Sequence, residues 1–109
     1  MTSASGKFAA LRELLEGSVL RGDASVPPGD RRIAFDRPGE LGGARGRYCD
    51  QVARDANGVT DADVAALQAE GLGDPEIFEY TVAAAVGQAS RQLTAALAAL
   101  EQAAREHSR

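Results

Sequence analysis

The sequence predicts an all-α fold, and three observations support this prediction. Apolar residues recur at intervals of three and four in the segments 5–20, 45–56 and 74–106. Capping residues and glycines mark helix starts and stops in the second half of the chain. No run of residues shows the alternation of apolar and polar side chains that is expected of a strand. We therefore expect one domain over residues 1–109, with about four helices and a long C-terminal helix.

The first 46 residues divide into an amphipathic helix and a segment of different composition. The helix is expected over residues 5–20. Four apolar residues share one of its faces, namely Phe8, Leu11, Leu15 and Val19. Residues 22–46 instead hold three of the four prolines, six glycines and four arginines. We expect residues 21–46 to be partly flexible, with one short helical turn that begins at Pro28.

Two shorter helices are expected next. The second helix covers residues 45–56, and Asn57 and Gly58 end it because both residues tolerate a positive φ. Thr60 then serves as the N-cap of a third helix, whose first turn carries acidic residues where the helix dipole favours them. That helix ends at the Gly-Leu-Gly turn of residues 71–73.

The clearest helix start is Asp74-Pro75-Glu76. It combines an N-cap acid, a proline at the first helical position and a second acid. The long helix that begins there is expected to reach about Glu106. Seven apolar residues step along one of its faces, and we call them the Phe78–Leu100 stripe: Phe78, Val82, Val86, Ala89, Leu93, Leu97 and Leu100.

The Phe78–Leu100 stripe is expected to pack in the core, which would bury Leu93 fully. Gly87 interrupts the helix at a cost of about 1 kcal/mol relative to alanine, so it indicates a close approach of another helix. A second line of residues on this helix offers a further face: Ile77, Thr81, Ala84, Gln88 and Ala95. A small domain covers both faces only with difficulty, so the sequence predicts a homo-oligomer.

Composition narrows the classes of function. The net charge of −4 argues against binding to nucleic acid or to an anionic membrane, because both need a basic surface. No apolar run reaches the length of a membrane span. Cys49 is the only cysteine, which excludes an internal disulfide and a cysteine-cluster metal site and fits a reducing compartment. The first residues lack the apolar segment of a signal peptide, so we expect a cytoplasmic protein.

Two stretches of the second half carry a family resemblance. They are VARDANGVTDADVAAL at residues 52–67 and GDPEIFEYTVAAAVGQASRQLTAAL at residues 73–97. Both resemble the carboxymuconolactone decarboxylase and alkylhydroperoxidase D family. Members of that family are small all-helical chains that assemble into trimers or hexamers. The resemblance therefore implies an alkylhydroperoxidase D-like helical fold and a homo-oligomer.

The redox residues of that family are absent from this sequence. The family pattern places C-x-x-C-x-x-x-H at the start of the helix that precedes the capped one. By the family spacing, the two cysteine positions fall near Gly43 and Gly46, and the histidine position falls near Asp50. Relatives without the cysteines often carry a histidine near the position of Asp55, which this chain also lacks. The resemblance thus implies a divergent, redox-inactive member.

Three residues of the second helix are candidates for catalysis: Cys49, Asp50 and Asp55. Cys49 is either a reactive thiol or a small buried apolar side chain. Asp50 is an acid or base if it faces a pocket, but it also lies four residues before Arg54 and can form an ion pair with it. Asp55 is a further acid–base candidate.

Other polar groups fit structural roles. Tyr48 and Tyr80 are expected in the core rather than in a cavity, and His107 at a frayed helix end. Glu76 and Glu79 are either an acid–base pair or solvated charges near a helix start. Five arginines either grip an anionic ligand or are neutralised by nearby acids: Arg31, Arg32, Arg37, Arg45 and Arg47.

Two functions remain open from the sequence. The first is a redox-inactive binding or assembly subunit that needs no cofactor or metal, has a second copy of the chain as its partner and takes a small-molecule ligand if any. The second is a cofactor-free enzyme of the decarboxylase or isomerase type, which needs only positioned acid and base side chains. The lack of a recognisable acid–base constellation favours the first.

Overall fold

The fold is all-α, as the sequence predicts. The structure is a computed structural model that describes residues 10, 13–14, 16–20 and 25–107, and these residues contain no β-strand. Within 25–107, four α-helices and two 3-10 helices follow one another: α1 (Pro28–Asp36), a 3-10 helix (Pro38–Leu41), α2 (Gly43–Asp55), a 3-10 helix (Ala56–Gly58), α3 (Asp61–Ala69) and α4 (Asp74–His107).

The described part of residues 10–20 is also helical, in agreement with the predicted N-terminal helix. Leu20 is buried, and a carboxylate oxygen of Glu16 accepts a hydrogen bond from the Ser90 hydroxyl of α4 at 2.6 Å. This part of the chain therefore contacts the other helices. Three of its predicted apolar positions lie outside the described residues, namely Phe8, Leu11 and Leu15.

Local caps begin and end α3 where the sequence predicts them, whereas α4 begins at Asp74 itself, which is predicted as the N-cap. Thr60 and Asp63 form a capping box at α3: the Thr60 hydroxyl accepts from the Asp63 N–H at 3.3 Å, and the Asp63 carboxylate accepts from the Thr60 N–H at 2.9 Å. Gly71 has a φ of 92° after α3, a conformation that favours glycine. At the start of α4, the Glu76 carboxylate accepts from the Gly73 N–H at 3.0 Å.

The segment that we expected to be partly flexible is largely helical from residue 28 onward. The short turn predicted at Pro28 is a nine-residue helix, α1. A 3-10 helix follows it, and α2 begins at Gly43, two residues before the predicted start. Pro38, Ala44 and Gly46 are buried in this segment.

Contacts from α4 hold α1 at both ends. Before α1 begins, the two carboxylate oxygens of Glu79 accept hydrogen bonds from the backbone N–H groups of Ser25 and Val26, each at 2.7 Å. Twelve residues later on α4, the Arg91 guanidinium donates to the carbonyl oxygens of the last two residues of α1. A cation is favourable there because the last carbonyls of a helix carry partial negative charge. The two helices therefore run side by side in the same direction.

Between these end contacts, Gly87 brings α1 and α4 into close contact. A Cβ atom placed on Gly87 would lie 2.0 Å from the carbonyl oxygen of Phe35. No other residue fits there unless the backbone of one helix moves. The close approach predicted from this glycine is confirmed.

The core is small and contains many short side chains. Cys49 and Leu67 are 0 % exposed and Tyr80 is 2 % exposed. The other members of the main cluster are Val26, Ala34, Ala44, Tyr48, Val52, Ile77, Ala83 and Ala84.

The predicted rotation of α4 about its axis is wrong. The buried residues of α4, which we call its inner face, are Ile77, Tyr80, Ala83, Ala84 and Gly87. The Phe78–Leu100 stripe instead lies on the opposite side: Phe78 is 68 % exposed and Leu100 is 67 % exposed. Leu93, expected to be fully buried, is only partly buried. The physical reason is the tight contact at Gly87, because a side chain at that position would overlap the backbone of Phe35.

The last part of α4 lies beyond the core. From residue 92 to residue 107 every side chain is exposed except Leu93 and Leu97, which are partly buried. At a rise of 1.5 Å per residue, this part is about 24 Å long. Among the described helices, none combines the length and the apolar character that crossing a membrane requires.

Candidate functional site

Four polar side chains, one from each of α1, α2 and α4 and one from the end of α3, meet beside the core. The Tyr80 hydroxyl donates a hydrogen bond to the Asp30 carboxylate at 2.8 Å. Arg45 lies 3.9 Å from the same carboxylate oxygen and 3.1 Å from a carboxylate oxygen of Glu70. Its guanidinium also lies 5.9 Å from the centre of the Tyr80 ring, within the range of a cation–π contact. We call these four residues the Tyr80 cluster.

The electrostatics of the Tyr80 cluster keep its phenol neutral. Burial, together with the hydrogen bond and charge of Asp30, raises the pKa of Tyr80 to about 12, and Arg45 opposes part of this effect. For Arg45, partial burial alone would lower the pKa, but Tyr80 and Glu70 together raise it above its ordinary value. At neutral pH the cluster therefore holds a phenol that donates and a guanidinium that stays charged.

The Tyr80 cluster contains a proton donor, the Tyr80 phenol, and a proton acceptor, the Asp30 carboxylate. Tyr80 itself is 2 % exposed, whereas the side chains of Asp30, Arg45 and Glu70 are 35 %, 36 % and 36 % exposed. Asp30 is thus the group through which a proton would reach solvent. The same contacts also tie all four helices together, which is a structural role.

A hydrogen bond between two hydroxyl groups lies beside the Tyr80 cluster. The Tyr48 and Thr81 hydroxyl oxygens are 2.7 Å apart. Because Thr81 donates its own hydrogen to the carbonyl oxygen of Ile77 at 2.6 Å, Tyr48 is the donor of this pair. Tyr48 is 7 % exposed, so both tyrosines lie in the core, as the sequence predicts.

Cys49 is buried in the core and is not a reactive thiol in this conformation. Its side chain is 0 % exposed, and its Sγ donates to the Tyr80 carbonyl oxygen at 3.9 Å. Burial raises the pKa of Cys49 to about 12. The thiolate, which is the nucleophilic form, is therefore absent at neutral pH. The interpretation of Cys49 as a small buried apolar side chain is the one that fits.

Asp50 and Asp55 lie on the same helix as Cys49 but in different environments. The Asp50 carboxylate is 2.6 Å from the Arg54 guanidinium, which is the ion pair predicted from their spacing. Asp55 is exposed, and its backbone carbonyl accepts from the Gln51 amide at 2.7 Å. The structure therefore does not gather the three catalytic candidates into one site.

The two positions where the resemblance places cysteines are shaped for glycine. Gly43 has a φ of 57°, a conformation that other residues rarely adopt. A Cβ atom at Gly46 would lie 3.2 Å from the carbonyl oxygen of Gly39, which is tighter than ordinary contact. A side chain at either position would strain the start of α2.

The remaining candidates, Glu76, Glu79 and His107, do not form a site. Glu76 and Glu79 each accept from backbone N–H groups, so they cap chain segments instead of acting as an acid–base pair. His107 is exposed in the last residue of α4.

The five arginines of the middle segment do not converge on one anion site. Arg31 is 5 % exposed and donates to the Val19 carbonyl oxygen at 3.1 Å. Arg45 belongs to the Tyr80 cluster, and Arg47 is exposed. The other two pair with acids of their own segment, Arg32 with Asp36 and Arg37 with Glu40.

A cleft of about 390 Å³ lies between the N-terminal helical residues and α1. This volume is within the range of small-molecule sites. Its lining residues are Glu13, Glu16, Gly17, Leu20, Arg32, Phe35 and Asp36. Neither the catalytic candidates of α2 nor the Tyr80 cluster contributes to it, so this cleft is separate from both.

Sequence reasoning named two members of the Tyr80 cluster but did not connect them. Tyr80 is expected in the core and Arg45 among a group of arginines, whereas Asp30 and Glu70 are not singled out. The four positions are far apart in sequence, so no local pattern relates them. In the part of the chain that the structure describes, no three His, Cys, Asp or Glu side chains are arranged to hold a metal ion. No protein-family model, curated protein or solved structure matches this chain.

Proposed function

We propose that this chain is a redox-inactive, carboxymuconolactone decarboxylase-like protein that acts as a binding or assembly subunit. The order of its elements supports the proposal: α2, the capped helix α3 and the long helix α4 follow one another as the resemblance implies. A cytoplasmic location is part of the proposal, because a single unpaired cysteine is typical of proteins in reducing compartments.

The observation that carries this proposal is that the chain has no thiol able to act as a nucleophile. The single thiol, Cys49, is buried and protonated. Gly43 and Gly46, at the positions of the family cysteines, have backbone geometry or packing that disfavours any side chain. A peroxidase of this type needs a thiolate, a second thiol that resolves the oxidised intermediate and a proton relay.

An assay for peroxide reduction tests the redox part of the proposal. The protein is incubated with an organic hydroperoxide and a dithiol reductant, and Cys49→Ser is the matched variant. We expect both proteins to give the rate of the reductant alone. Turnover by the wild type that disappears in Cys49→Ser would show that the chain is a thiol peroxidase and would end this proposal.

The alternative function, a cofactor-free decarboxylase or isomerase, has one favourable observation of its own. The Tyr80 cluster pairs a neutral phenol with the partly exposed Asp30 carboxylate, which are the groups that such a reaction uses. The test is conversion of a panel of small carboxylic acids, followed by NMR. Conversion that Asp30→Asn and Tyr80→Phe both abolish, with the fold intact by circular dichroism, would favour the enzyme over the assembly subunit.

A further inference from the structure

The connection between α2 and α3 carries an asparagine that is followed by a glycine. Asn57 is the only asparagine of the chain, and none of its aspartates precedes a glycine. In such a pair the backbone nitrogen of the glycine can attack the side-chain amide of the asparagine, because a glycine has no Cβ atom to shield that nitrogen. The attack closes a cyclic imide, and it is favoured because both reacting groups are held in one chain.

Both residues of this pair are open to solvent in the folded chain. All residues from 54 to 58 are exposed, so water and base reach the Asn57 amide and the Gly58 nitrogen. The atoms nearest to a Cβ placed on Gly58 belong to the side-chain ends of Gln51 and Asp55. These ends can move, in contrast to the backbone of Phe35 that packs against Gly87. Core packing therefore does not protect the pair.

The backbone of the pair lies in a short 3-10 helix, Ala56–Gly58, that is weakly held. Ring closure requires the backbone at Asn57 to rotate out of its helical conformation until the Asn57 Cγ faces the Gly58 nitrogen. The Val59 N–H donates to the Ala56 carbonyl oxygen at 3.3 Å, which is longer than the usual distance of about 2.9–3.0 Å. Exposed turns with few buried apolar contacts open at a small cost in free energy. The rotation is therefore accessible without unfolding of α2 or α3.

We propose that Asn57 is a self-modification site, which deamidates through a cyclic imide formed with the Gly58 nitrogen. That nitrogen bonds to the Asn57 Cγ, the bond from Cγ to Nδ2 breaks, and Nδ2 leaves as ammonia together with the proton of the Gly58 N–H. Water then opens the ring at either of its carbonyl groups and leaves aspartate or isoaspartate in place of Asn57. The reaction consumes only water, and this inference does not depend on the proposed function.

The products place a negative charge where the fold disfavours one. Asn57 follows the C-terminal end of α2, whose last carbonyl groups carry partial negative charge, and Asp55 lies two residues before it. Isoaspartate also adds one carbon atom to the backbone that leads to Thr60, the N-cap of α3. Both changes disturb the connection that brings Leu67 of α3 into the core. We expect the modified chain to unfold at a lower temperature than the fresh chain.

Mass spectrometry of peptides from protein incubated at mildly alkaline pH tests the reaction. In the wild type, the peptide that contains Asn57 should exchange the mass of NH2 for that of OH, and protein isoaspartate methyltransferase should label it. Asn57→Gln is the matched control, because its longer side chain closes the imide far more slowly, so the label should be lost.

Gly58→Ala tests the attacking nitrogen and should slow the reaction severalfold. This variant is expected to fold. Among the described glycines, those with a positive φ are Gly42, Gly43 and Gly71, so the backbone at Gly58 accepts a side chain. The side-chain ends that its new Cβ would meet can also move aside.

Thermal unfolding of Asn57→Asp tests the consequence without incubation. Its midpoint should lie below that of the wild type, whereas Asn57→Gln, which adds no charge, should resemble the wild type. Equal midpoints for all three proteins would overturn the expected effect of the charge on the connection between α2 and α3.

Three results would overturn the inference itself. If the folded wild type keeps Asn57, whether or not the chain unfolded in urea loses it, the fold does not permit ring closure. Equal rates in the wild type and Gly58→Ala would mean hydrolysis by water without a cyclic imide. A label in Asn57→Gln would place the reaction at another residue. None of these readouts depends on the oligomeric state or on Cys49, so they are independent of the tests of the proposed function.

Discussion

The inner and outer faces of α4 differ in how closely they pack and in the contacts that hold them. The inner face packs small residues against α1, with Gly87 touching the backbone of Phe35. Polar contacts from Glu79, Tyr80 and Arg91 reinforce it. The outer face, the Phe78–Leu100 stripe, is less buried: Phe78 and Leu100 are exposed, and its valines and other leucines are partly buried.

This difference shows that the most apolar face of a helix is not always the one its own chain buries. Two helices in close contact exclude large side chains, so a domain core can select alanine and glycine. The contact at Gly87 thus decides which face of α4 is buried, and the larger apolar residues of the Phe78–Leu100 stripe remain exposed or partly buried.

The largest expected effect is a loss of folding stability at alkaline pH, caused by Cys49 of α2 and by Tyr80 of the inner face, which Cys49 contacts. The pKa of Cys49 is about 12 in the folded chain, against 9.0 for an unburied thiol. The unfolded state therefore loses its proton first, so stability present below pH 9 is lost as the pH rises towards 12. For Cys49 the loss amounts to about 4 kcal/mol. Tyr80 acts in the same direction above pH 10, because its pKa is also raised to about 12.

Denaturant unfolding between pH 8 and pH 11 measures this loss. Cys49→Ala is the informative variant, since it removes the thiol but leaves Tyr80 in place. Its stability should fall less steeply with pH than that of the wild type, by up to about 1.4 kcal/mol per pH unit above pH 9. Equal slopes for the two proteins would mean that Cys49 is accessible to solvent in the folded chain.

Substitutions at the neighbouring residues Ile77 and Phe78 compare the inner and outer faces of α4 directly. Ile77 is 8 % exposed and Phe78 is 68 % exposed. Ile77→Ala should cost about 2–5 kcal/mol at any protein concentration, because it leaves a cavity in the core. Phe78→Ala should cost within about 0.5 kcal/mol in dilute solution.

Thermal unfolding at two protein concentrations separates these effects. The cost of Phe78→Ala should grow with concentration, because ligand or subunit binding stabilises only the folded state. If Phe78→Ala is as harmful as Ile77→Ala at the lowest concentration, the rotation of α4 described here is wrong.

The next largest loss of stability is expected for a substitution at Gly87. Gly87→Ala places a methyl group against a backbone carbonyl that cannot move independently of α1, and we expect a loss of about 3 kcal/mol. For a domain of this size the melting temperature should fall by about 10 °C or more. Gly29→Ala is the control, because nothing lies within 4 Å of that position. It should be neutral or stabilising by up to about 1 kcal/mol, and equal losses in both variants would contradict the close contact.

Sequence reasoning succeeded where the signal was local and failed where it was not. Thr60 and Asp63 cap α3 as predicted, because a capping box involves residues three apart and backbone groups between them. The rotation of α4 was wrong because periodicity identifies the most apolar face but not the partner that buries it. The contact of Tyr80 with Asp30 joins residues 50 positions apart, and nothing in either neighbourhood encodes it.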